Sequence, residues 1–344
     1  MGEGQTPLIK ARRIGANYGL SQLYFKLETA NPSGSYKDRF AAAAVSHLLH
    51  HDEKVCLATS SGNTGSALAA YSARAGLPCF VIVVDGTPAA KLEQMQIYGA
   101  HTLMVRGFGL DAAITSKVFE QLRGLSAEFK AGVQISAYTY SPEGMSGVET
   151  IALELAESFN EPSVHVFSPS GGGGLTLAVG QGYLKWKAHN PGYFLPKLHC
   201  VQPEGNNTIA GPLRQGENKA VSQTHSRTKV SGLQVPGVID GDDTIAVCRK
   251  LGGTGFLVPD DLVFRLQMQL AEEEGIYCEP AGAVALAGAI RAQQEGLIEA
   301  GDRVICLVTG HGFKDNTLYS RMSQGRHHFF DHFENVADYI KDQG

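Results

Sequence analysis

The chain alternates short, β-branched apolar runs with longer runs whose apolar residues recur with the period of a helix. From residue 55 the order is VCLATS, SALAAYSARAG, CFVIVV, AAKLEQMQIYG, HTLMVRG and DAAITSKVFEQLRG. Such an order predicts parallel strands joined by helices. Gly76, Gly99 and Gly124 close the three helix-like runs, so we expect the helices to end there.

A second series of the same kind follows. It comprises VHVFSPS, LTLAVGQGYLKWKAH, KLHCVQPE, VFRLQMQLAEEEG, IYCE, AGAVALAGAIRAQQEG and RVICLVT. Within it, residues 214 to 243 are polar and glycine-rich with little periodicity, which predicts an irregular loop. The pattern therefore predicts an α/β protein with two units, each built on a mostly parallel sheet flanked by helices.

Length, charge and hydropathy restrict the partners. The length of 344 residues exceeds what one hydrophobic core usually serves. A net charge of −5 without a long basic run predicts no nucleic-acid partner. The N-terminus lacks the apolar core of a signal peptide, and no apolar stretch approaches the ~20 residues that span a bilayer, so we expect neither secretion nor a membrane.

The spacing of cysteines and histidines argues against a metal site. The six cysteines lie far apart without a C-x-x-C pair, so we expect buried thiols in a reducing cytoplasm. His47 and His51 have the i, i+4 spacing of metal ligands but no acidic third ligand nearby in the sequence. We interpret them as the flank and end of a helix, and we predict no metal.

Four polar, glycine-rich stretches fall at or beside the ends of predicted strands. They are SSGNTG (60–65), SPSGGGG (168–174), CEPAG (278–282) and VTGHG (308–312). Ligands of open α/β sheets bind beyond the carboxyl ends of the strands, where loops lead into helices. We therefore expect the four stretches to outline one crevice.

Two of these stretches suit anions. The glycines from 171 to 174 precede a helix-like run, so their N–H groups and the helix dipole suit a phosphate, with a flexible turn as the alternative. Thr176 and Glu217 stand where dinucleotide and Walker motifs require glycine and lysine, so neither fingerprint is present. SSGNTG suits a small carboxylate, and the alternative is that Ser61 or Asn63 is an ordinary helix N-cap.

Lys37 lies in the polar turn NPSGSYKDR before an alanine-rich helix-like run. Ser35 and Asp38 resemble a capping box, which places Lys37 in the first helical turn, where the helix dipole opposes a positive charge. Such a lysine is suited to Schiff-base chemistry, whereas most lysines are solvated surface charges. The local pattern leaves both interpretations open.

The order of NPSGSYKDR, SSGNTG, GGGG and TGHGFKD resembles that of the β-family, or fold-type II, pyridoxal phosphate enzymes over nearly the whole chain. The resemblance implies a Schiff base between Lys37 and pyridoxal 5′-phosphate, Asn63 at the ring hydroxyl of the cofactor, and Thr309 at its pyridine nitrogen. It assigns the cofactor phosphate to Gly171, Gly172, Gly173 and Gly174, and the substrate carboxylate to Ser60, Ser61, Asn63 and Thr64.

The resemblance also implies an architecture. A large domain would comprise residues 1–39 and 143–344, and a smaller α/β domain, residues 40–142, would be inserted into it, with the cofactor in the cleft. A hydroxyl at Thr309, in place of a carboxylate, would leave the pyridine nitrogen largely neutral, which suits elimination rather than transamination. We expect a cytoplasmic homodimer that acts on a small amino acid.

Within this family, NPSGSYKDR and LVTGHGFKD are most similar to threonine synthases, which convert O-phosphohomoserine and water to threonine and phosphate. GGGG, however, stands where G-N-A-G-N is usual, and EPAGAVALAGA (279–289) is more similar to serine and threonine dehydratases. The stretch YSPEGMSGVET (140–150) lacks the arginine expected at the substrate phosphate. Elimination or replacement on serine, threonine or an O-activated serine therefore stays an alternative, as does a non-catalytic relative that binds pyridoxal phosphate or an amino acid.

Overall fold

The computed structural model describes residues 1–60, 62–85, 87, 89–108, 111–315 and 328–343. Its strands are β1 (Leu8–Lys10), β2 (Leu23–Leu27), β3 (Val55–Thr59), β4 (Cys79–Val83), β5 (His101–Met104), β6 (Ala131–Gln134), β7 (Val164–Pro169), β8 (Lys197–Pro203), β9 (Gly255–Val258) and β10 (Arg303–Val308). Its helices are α1 (Ile14–Asn17), α2 (Lys37–His50), α3 (Asn63–Ala75), α4 (Ala89–Ile97), α5 (Ala112–Phe129), α6 (Pro142–Val148), α7 (Thr150–Ser158), α8 (Gly174–His189), α9 (Ala210–Arg214), α10 (Gly241–Lys250), α11 (Asp260–Glu274), α12 (Pro280–Gln294) and α13 (Phe333–Gln343).

The strands form two sheets. The six-stranded sheet has the order β1-β2-β10-β7-β8-β9, in which β1 and β2 pair antiparallel and the other neighbours pair in parallel. The four-stranded sheet has the order β5-β4-β3-β6 and is parallel throughout. The predicted α/β fold class is confirmed. All four strands of the smaller sheet lie between residues 40 and 142, and the domain division at these residues stays a prediction.

Buried side chains connect the two sheets. One cluster contains Phe40 of α2, Val81 of β4 and Tyr183 of α8, so it extends from the four-stranded to the six-stranded sheet. The neighbour of Val81 on the same strand, Ile82, belongs to a separate cluster with Val118 of α5. Successive side chains of a strand point to opposite faces, so helices cover both faces of the smaller sheet.

The run IYCE is not a strand. Cys278 forms an isolated bridge with His311, and the strand in this part of the chain is β9, which the sequence pattern did not reveal. Gly275 ends α11 with φ 69°, and Pro280 opens α12, so the run between them is too short to extend a sheet.

Two of the three glycines end helices as predicted. Gly76 ends α3 with φ 70°, and Gly99 follows α4 with φ 82°. The prediction for Gly124 is wrong, because α5 continues through it to Phe129 and ends at Lys130 with φ 45°. A glycine inside a helix costs only about 1 kcal/mol, and no helix-breaking residue follows Gly124 in LSAEF.

The remaining expectations concern the loop, the cysteines and the membrane. Residues 215 to 240, between α9 and α10, contain no helix or strand, so the predicted irregular loop is confirmed. All six cysteines are buried and free. Among the helices of the described ranges, none combines the length and apolar character needed to cross a bilayer.

Candidate active site

Lys37 is the first residue of α2, and Asp38 holds the turn before it. The Asp38 carboxylate accepts hydrogen bonds from the Ser33 N–H at 3.1 Å, the Ser33 hydroxyl at 3.0 Å and the Ser35 N–H at 3.4 Å. The predicted capping box is half formed, since Ser35 Oγ has no hydrogen-bond partner among the described residues. Burial raises the pKa of Asp38 from 3.8 to about 6, although hydrogen bonds from Ser33 act in the opposite direction.

The segment after β10 lies against this turn. The Tyr36 N–H donates to the Thr309 carbonyl oxygen at 3.0 Å, and Ser35 forms an isolated bridge with Gly310. Thr309 lines a cavity, is 4% exposed, and its hydroxyl has no hydrogen-bond partner within the described part of the chain. Backbone pairing therefore fixes a buried, unpartnered hydroxyl beside the start of α2.

The consecutive glycines turn the chain from β7 into α8. Gly173 has φ 103°, and a Cβ there would lie 2.4 Å from Thr244 Oγ1, so a side chain at this position would be both strained and obstructed. The N–H groups of residues 171 to 174 have no protein acceptor in the ranges that the structure describes. Unpartnered donors at the positive end of a helix form an anion-binding turn.

Ser60 caps α3. Its hydroxyl oxygen accepts hydrogen bonds from the Gly62 N–H at 3.1 Å and the Gly65 N–H at 3.0 Å. The side-chain cap is therefore Ser60 rather than Asn63, and Ser61 lies outside the described residues. Because Ser60 Oγ is engaged by the helix start, its first role is to shape this loop.

Asn63 and Thr64 extend from the start of α3 towards other loops of the cavity. Asn63 Nδ2 donates to Glu279 Oε1 at 2.8 Å, and Thr64 Oγ1 lies 3.1 Å from Ser136 Oγ. The Asn63 and Thr64 N–H groups have no protein acceptor among the described residues. The start of α3 is thus a second place suited to an anion.

These elements surround one cavity of about 790 Å³. Its lining includes every predicted site residue that the structure describes, namely Lys37, Ser60, Asn63, Thr64, Gly171, Gly172, Gly173, Gly174 and Thr309. The sequence-predicted residues therefore come together in one place, with Ser61 outside the described ranges.

The basic side chains in the described lining are Lys37, Lys314 and His311. Lys314 Nζ donates to the Ser33 carbonyl oxygen at 2.8 Å and to Gln94 Oε1 at 2.6 Å. Burial lowers the pKa of Lys314, and it also lowers the pKa of His311, which Lys314 lowers further by its charge. The cavity thus holds a second amine besides Lys37.

A buried ion-pair network anchors the start of α2 to the six-stranded sheet. Arg39 Nε and Nη2 donate to the two carboxylate oxygens of Glu28, both at 2.8 Å, and Nη2 donates to Glu154 at 2.9 Å. Lys26 of β2 donates to the same Glu154 carboxylate. Burial acts to raise the pKa of Glu154, but hydrogen bonds from Arg39 and Lys26 outweigh it and lower the pKa from 4.5 to about 2.

Sequence reasoning assigned no role to Ser136 or Glu279. Lys37 Nζ donates to Ser136 Oγ, and Glu279, which is 6% exposed, accepts from Asn63. Ser136 follows β6, a four-residue strand that the hydrophobic pattern did not reveal. A search of all strand ends, including short strands, would have found it.

The histidines of α2 do not form a metal site with described residues. The rings of His47 and His51 lie 4.3 Å apart at the end of α2, as a helix flank would place them. In the described ranges, no group of three histidine, cysteine, aspartate or glutamate side chains is arranged to hold a metal.

Two mostly parallel sheets, with a lysine amine and an anion-binding turn in one cavity between them, are typical of α/β enzymes that bind an anionic cofactor. The chain belongs to the pyridoxal-phosphate dependent enzyme family, whose profile matches residues 1–310. A threonine synthase from Methanocaldococcus jannaschii is 31% identical over 324 residues, which are 94% of this chain and 78% of that protein.

Solved structures show the same architecture. Maize serine racemase aligns with a TM-score of 0.77 and 25% identity, covering 98% of this chain and 94% of that one. Threonine deaminase isoform 2 from Solanum lycopersicum aligns with a TM-score of 0.76 and 23% identity, covering 93% of this chain and 82% of that one. The predicted fold-type II architecture, the pyridoxal phosphate cofactor and a pyridoxal phosphate-dependent lyase are confirmed.

The described residues fit this cofactor. A phosphate needs several aligned donors, and the glycine turn offers N–H groups for which the described part of the chain provides no acceptor. A heteroaromatic ring with a polar atom needs a buried partner, and the Thr309 hydroxyl is buried and unpartnered among the described residues. These unsatisfied groups are accounted for if a phosphorylated ring lies between them.

Proposed function

We propose that this protein eliminates or replaces a substituent at the β or γ carbon of a small amino acid, as threonine synthases do when they convert O-phosphohomoserine and water to threonine and phosphate. The observation that carries the proposal is the position of Lys37 Nζ in one cavity with the unpartnered Thr309 hydroxyl and the glycine turn. Similarity to a threonine synthase over 94% of the chain supports this reaction.

The proposed roles follow the family resemblance, and the shared cavity supports them. The N–H groups of the glycine turn would hold the cofactor phosphate, Thr309 would serve the pyridine nitrogen, and Asn63 would serve the ring hydroxyl. Lys37 Nζ would bind the aldehyde carbon of the cofactor. We assign the substrate carboxylate to the start of α3, with the backbone N–H groups and side chains of Ser60, Asn63 and Thr64 as its partners, together with Ser61, which lies outside the described residues.

When bound, pyridoxal phosphate withdraws electrons from the substrate Cα and so acidifies its hydrogen. Lys37 Nζ, once the amino nitrogen of the substrate has taken its place, removes this proton and later returns one to the product. The Thr309 hydroxyl leaves the pyridine nitrogen largely neutral, which favours elimination over transamination. Enclosure between the two sheets keeps water away from the reacting carbon.

A second candidate is favoured by the stretch where a substrate-phosphate arginine was expected. A Cβ at Gly144 of α6 would lie 2.5 Å from Phe40, and one at Gly147 would lie 2.2 Å from the Arg39 carbonyl oxygen. This stretch packs tightly against α2, and arginine is absent from the described cavity lining. A substrate without phosphate is therefore the alternative, and the reaction is then β-elimination or replacement on serine, threonine or an O-activated serine.

The two candidates differ in substrate and product. The purified protein with pyridoxal phosphate is incubated with O-phosphohomoserine, serine, threonine and O-phosphoserine, and phosphate, ammonia and keto acid are measured. Phosphate with threonine from O-phosphohomoserine supports the first candidate, and ammonia with keto acid from serine or threonine supports the second. Cofactor binding without turnover of any of them would contradict both and favour the non-catalytic relative.

We also propose that residues 40–142 form a smaller domain inserted into a large domain of residues 1–39 and 143–344. The separate four-stranded sheet within this range supports the division. Closure of the smaller domain on the substrate then excludes water. Small-angle scattering with and without a bound amino acid tests the closure, which predicts a more compact particle with the ligand.

The proposal further places the protein in the cytoplasm as a homodimer. Six buried free thiols suit a reducing compartment. Sedimentation equilibrium tests the dimer, and a mass of one chain at micromolar concentration would contradict it.

A further inference from the structure

Ser136 lies on the loop that joins β6 to α6. The strand β6 runs parallel to β3, so Ser136 and Ser60 leave the same edge of the four-stranded sheet. Ser136 is half-buried and lines the cavity. It therefore lies where parallel sheets place functional groups, although no role in the proposed reaction has yet been given to it.

Three parts of the cavity meet at Ser136. Its Oγ accepts a hydrogen bond from Lys37 Nζ and lies 3.1 Å from Thr64 Oγ1. Its carbonyl oxygen lies 3.3 Å from the position that a Cβ on Gly174 would occupy. One serine thus contacts the lysine and the start of α3, and it borders the glycine turn.

Asp240 fixes the loop that carries Ser136. The Asp240 carboxylate accepts hydrogen bonds from the Tyr138 N–H at 2.9 Å, the Thr139 N–H at 3.2 Å and the Thr139 hydroxyl at 3.0 Å. The Asp240 N–H in turn donates to the Gly172 carbonyl oxygen at 3.1 Å. The position of Ser136 relative to the glycine turn is therefore set by a buried carboxylate.

During the proposed reaction, Nζ of Lys37 is released as a primary amine when the amino nitrogen of the substrate takes its place on the cofactor. A lysine side chain has a long, flexible stem, so a released amine needs a hydrogen-bond partner to stay at the reacting carbon. Ser136 Oγ accepts one N–H and leaves the nitrogen lone pair available once the amine is neutral.

We propose that Ser136 is a positioning residue that holds Nζ of Lys37 whenever this nitrogen is not bound to the cofactor. This proposal rests on the proposed function. Ser136 stabilises the released Lys37 amine and does not stabilise Lys37 when it is bound to the cofactor.

Loss of the hydroxyl therefore has opposite effects on two equilibria. In Ser136→Ala the apoprotein loses the hydrogen bond, so pyridoxal phosphate binds about fivefold more tightly. The same loss disfavours release of Lys37, so about fivefold more serine or O-phosphohomoserine is needed to shift the visible absorption of the bound cofactor. General damage to the cavity would instead weaken the binding of both pyridoxal phosphate and the amino acid.

The experiment compares wild type with Ser136→Ala, Ser136→Thr, which retains a hydroxyl, and Ser146→Ala, which removes an exposed hydroxyl from α6. Pyridoxal phosphate is titrated into each apoprotein, and each loaded protein is then titrated with the amino acids. We expect opposite shifts in Ser136→Ala, near wild-type values in Ser136→Thr, and no change in Ser146→Ala. Weakening of both equilibria, or no change in either, would overturn the proposal.

A measurement without cofactor separates this inference from the proposed function. Reductive methylation of the apoprotein by formaldehyde and cyanoborohydride is followed at Lys37 by mass spectrometry, and Ser136→Ala is expected to react about fivefold faster because the amine is no longer held. If wild type fails to bind pyridoxal phosphate, the proposed function fails, while the methylation rate still decides whether Ser136 holds Lys37. An unchanged rate would refute the inference.

Discussion

The two sheets make different contributions to the cavity. The six-stranded sheet and its connections carry Lys37, the glycine turn and Thr309, whereas the four-stranded sheet carries Ser60, Asn63, Thr64 and Ser136. The central strand β7 is buried along its whole length, while β5, at an edge of the smaller sheet, is mostly exposed. The proposed groups for the cofactor phosphate, aldehyde and pyridine nitrogen thus lie on the more buried framework, while Asn63, proposed at the ring hydroxyl, lies on the smaller sheet.

The contacts that hold the two regions also differ. Arg39 ties the start of α2 to Glu28 and Glu154 through charged hydrogen bonds. Thr64 and Ser136, on the smaller sheet, join through a neutral hydrogen bond, and such bonds are weaker than those between charges. We infer that cofactor binding and substrate binding can be separated by mutation, and the following changes test this separation.

The largest effect is expected at Lys37. In Lys37→Ala the proposed base and the amine for the cofactor are both lost, so kcat falls about 10⁴-fold. Steady-state kinetics with the candidate substrate that the turnover assay selects measures it. Lys54→Ala removes an exposed lysine and is the matched control. A kcat within tenfold of wild type would show that Lys37 is not the base.

The next effect concerns stability and comes from the ion-pair network. The lowered pKa of Glu154 contributes about 3 kcal/mol to the free energy of unfolding above pH 4.5, and this is lost as the pH falls towards 2. Glu154→Gln lacks this contribution, so it is less stable at pH 7 and depends less on pH between 5 and 2. Urea unfolding measures both quantities.

The control for Glu154 is Glu161→Gln. Glu161 also pairs with an arginine, Arg303, but its side chain is 41% exposed, so its loss is expected to cost less than 1 kcal/mol. Equal effects of the two variants would contradict the view that buried charge anchors α2.

The glycine turn should affect the cofactor alone. Gly173→Ala introduces a Cβ at φ 103° against Thr244, so we expect the Kd for pyridoxal phosphate to rise about 100-fold. The KM of the amino acid, measured at saturating cofactor, should change less than threefold. Gly192→Ala adds a Cβ with nothing within 4 Å and is the control. A KM that rises as much as the Kd would show that cofactor binding and substrate binding cannot be separated by mutation.

The smallest effect is expected at Thr64. Thr64→Val keeps the shape but removes a hydroxyl at the proposed carboxylate position, so KM rises about tenfold while the Kd for pyridoxal phosphate stays within twofold. Thr102→Val, on β5, is the control. The reverse result, a higher Kd for pyridoxal phosphate with an unchanged KM, would show that Thr64 contributes to cofactor binding rather than to substrate binding.

The sequence predicted best what local chemistry determines. The start of α2 at Lys37 follows from polar capping residues before an alanine-rich run, and glycine ends of α3 and α4 follow from the left-handed conformation. The strands β6 and β9 were missed because each has only four residues and contains a glycine, which weakens a strand pattern, whereas β5, also of four residues, contains none.

The site was predictable where motifs mark it and not where contacts cross the chain. Ser136 meets Lys37 across 99 residues, and Asn63 meets Glu279 across 216 residues, so neither contact leaves a local pattern.

Lys37 and Lys314 are the two amines of the described cavity lining, and the account requires that the first binds the cofactor. Reduction of the loaded protein with borohydride fixes the cofactor to its amine, and peptide mass spectrometry then locates it. The account predicts a pyridoxyl phosphate adduct on Lys37. An adduct on Lys314, or none on either lysine, would contradict it.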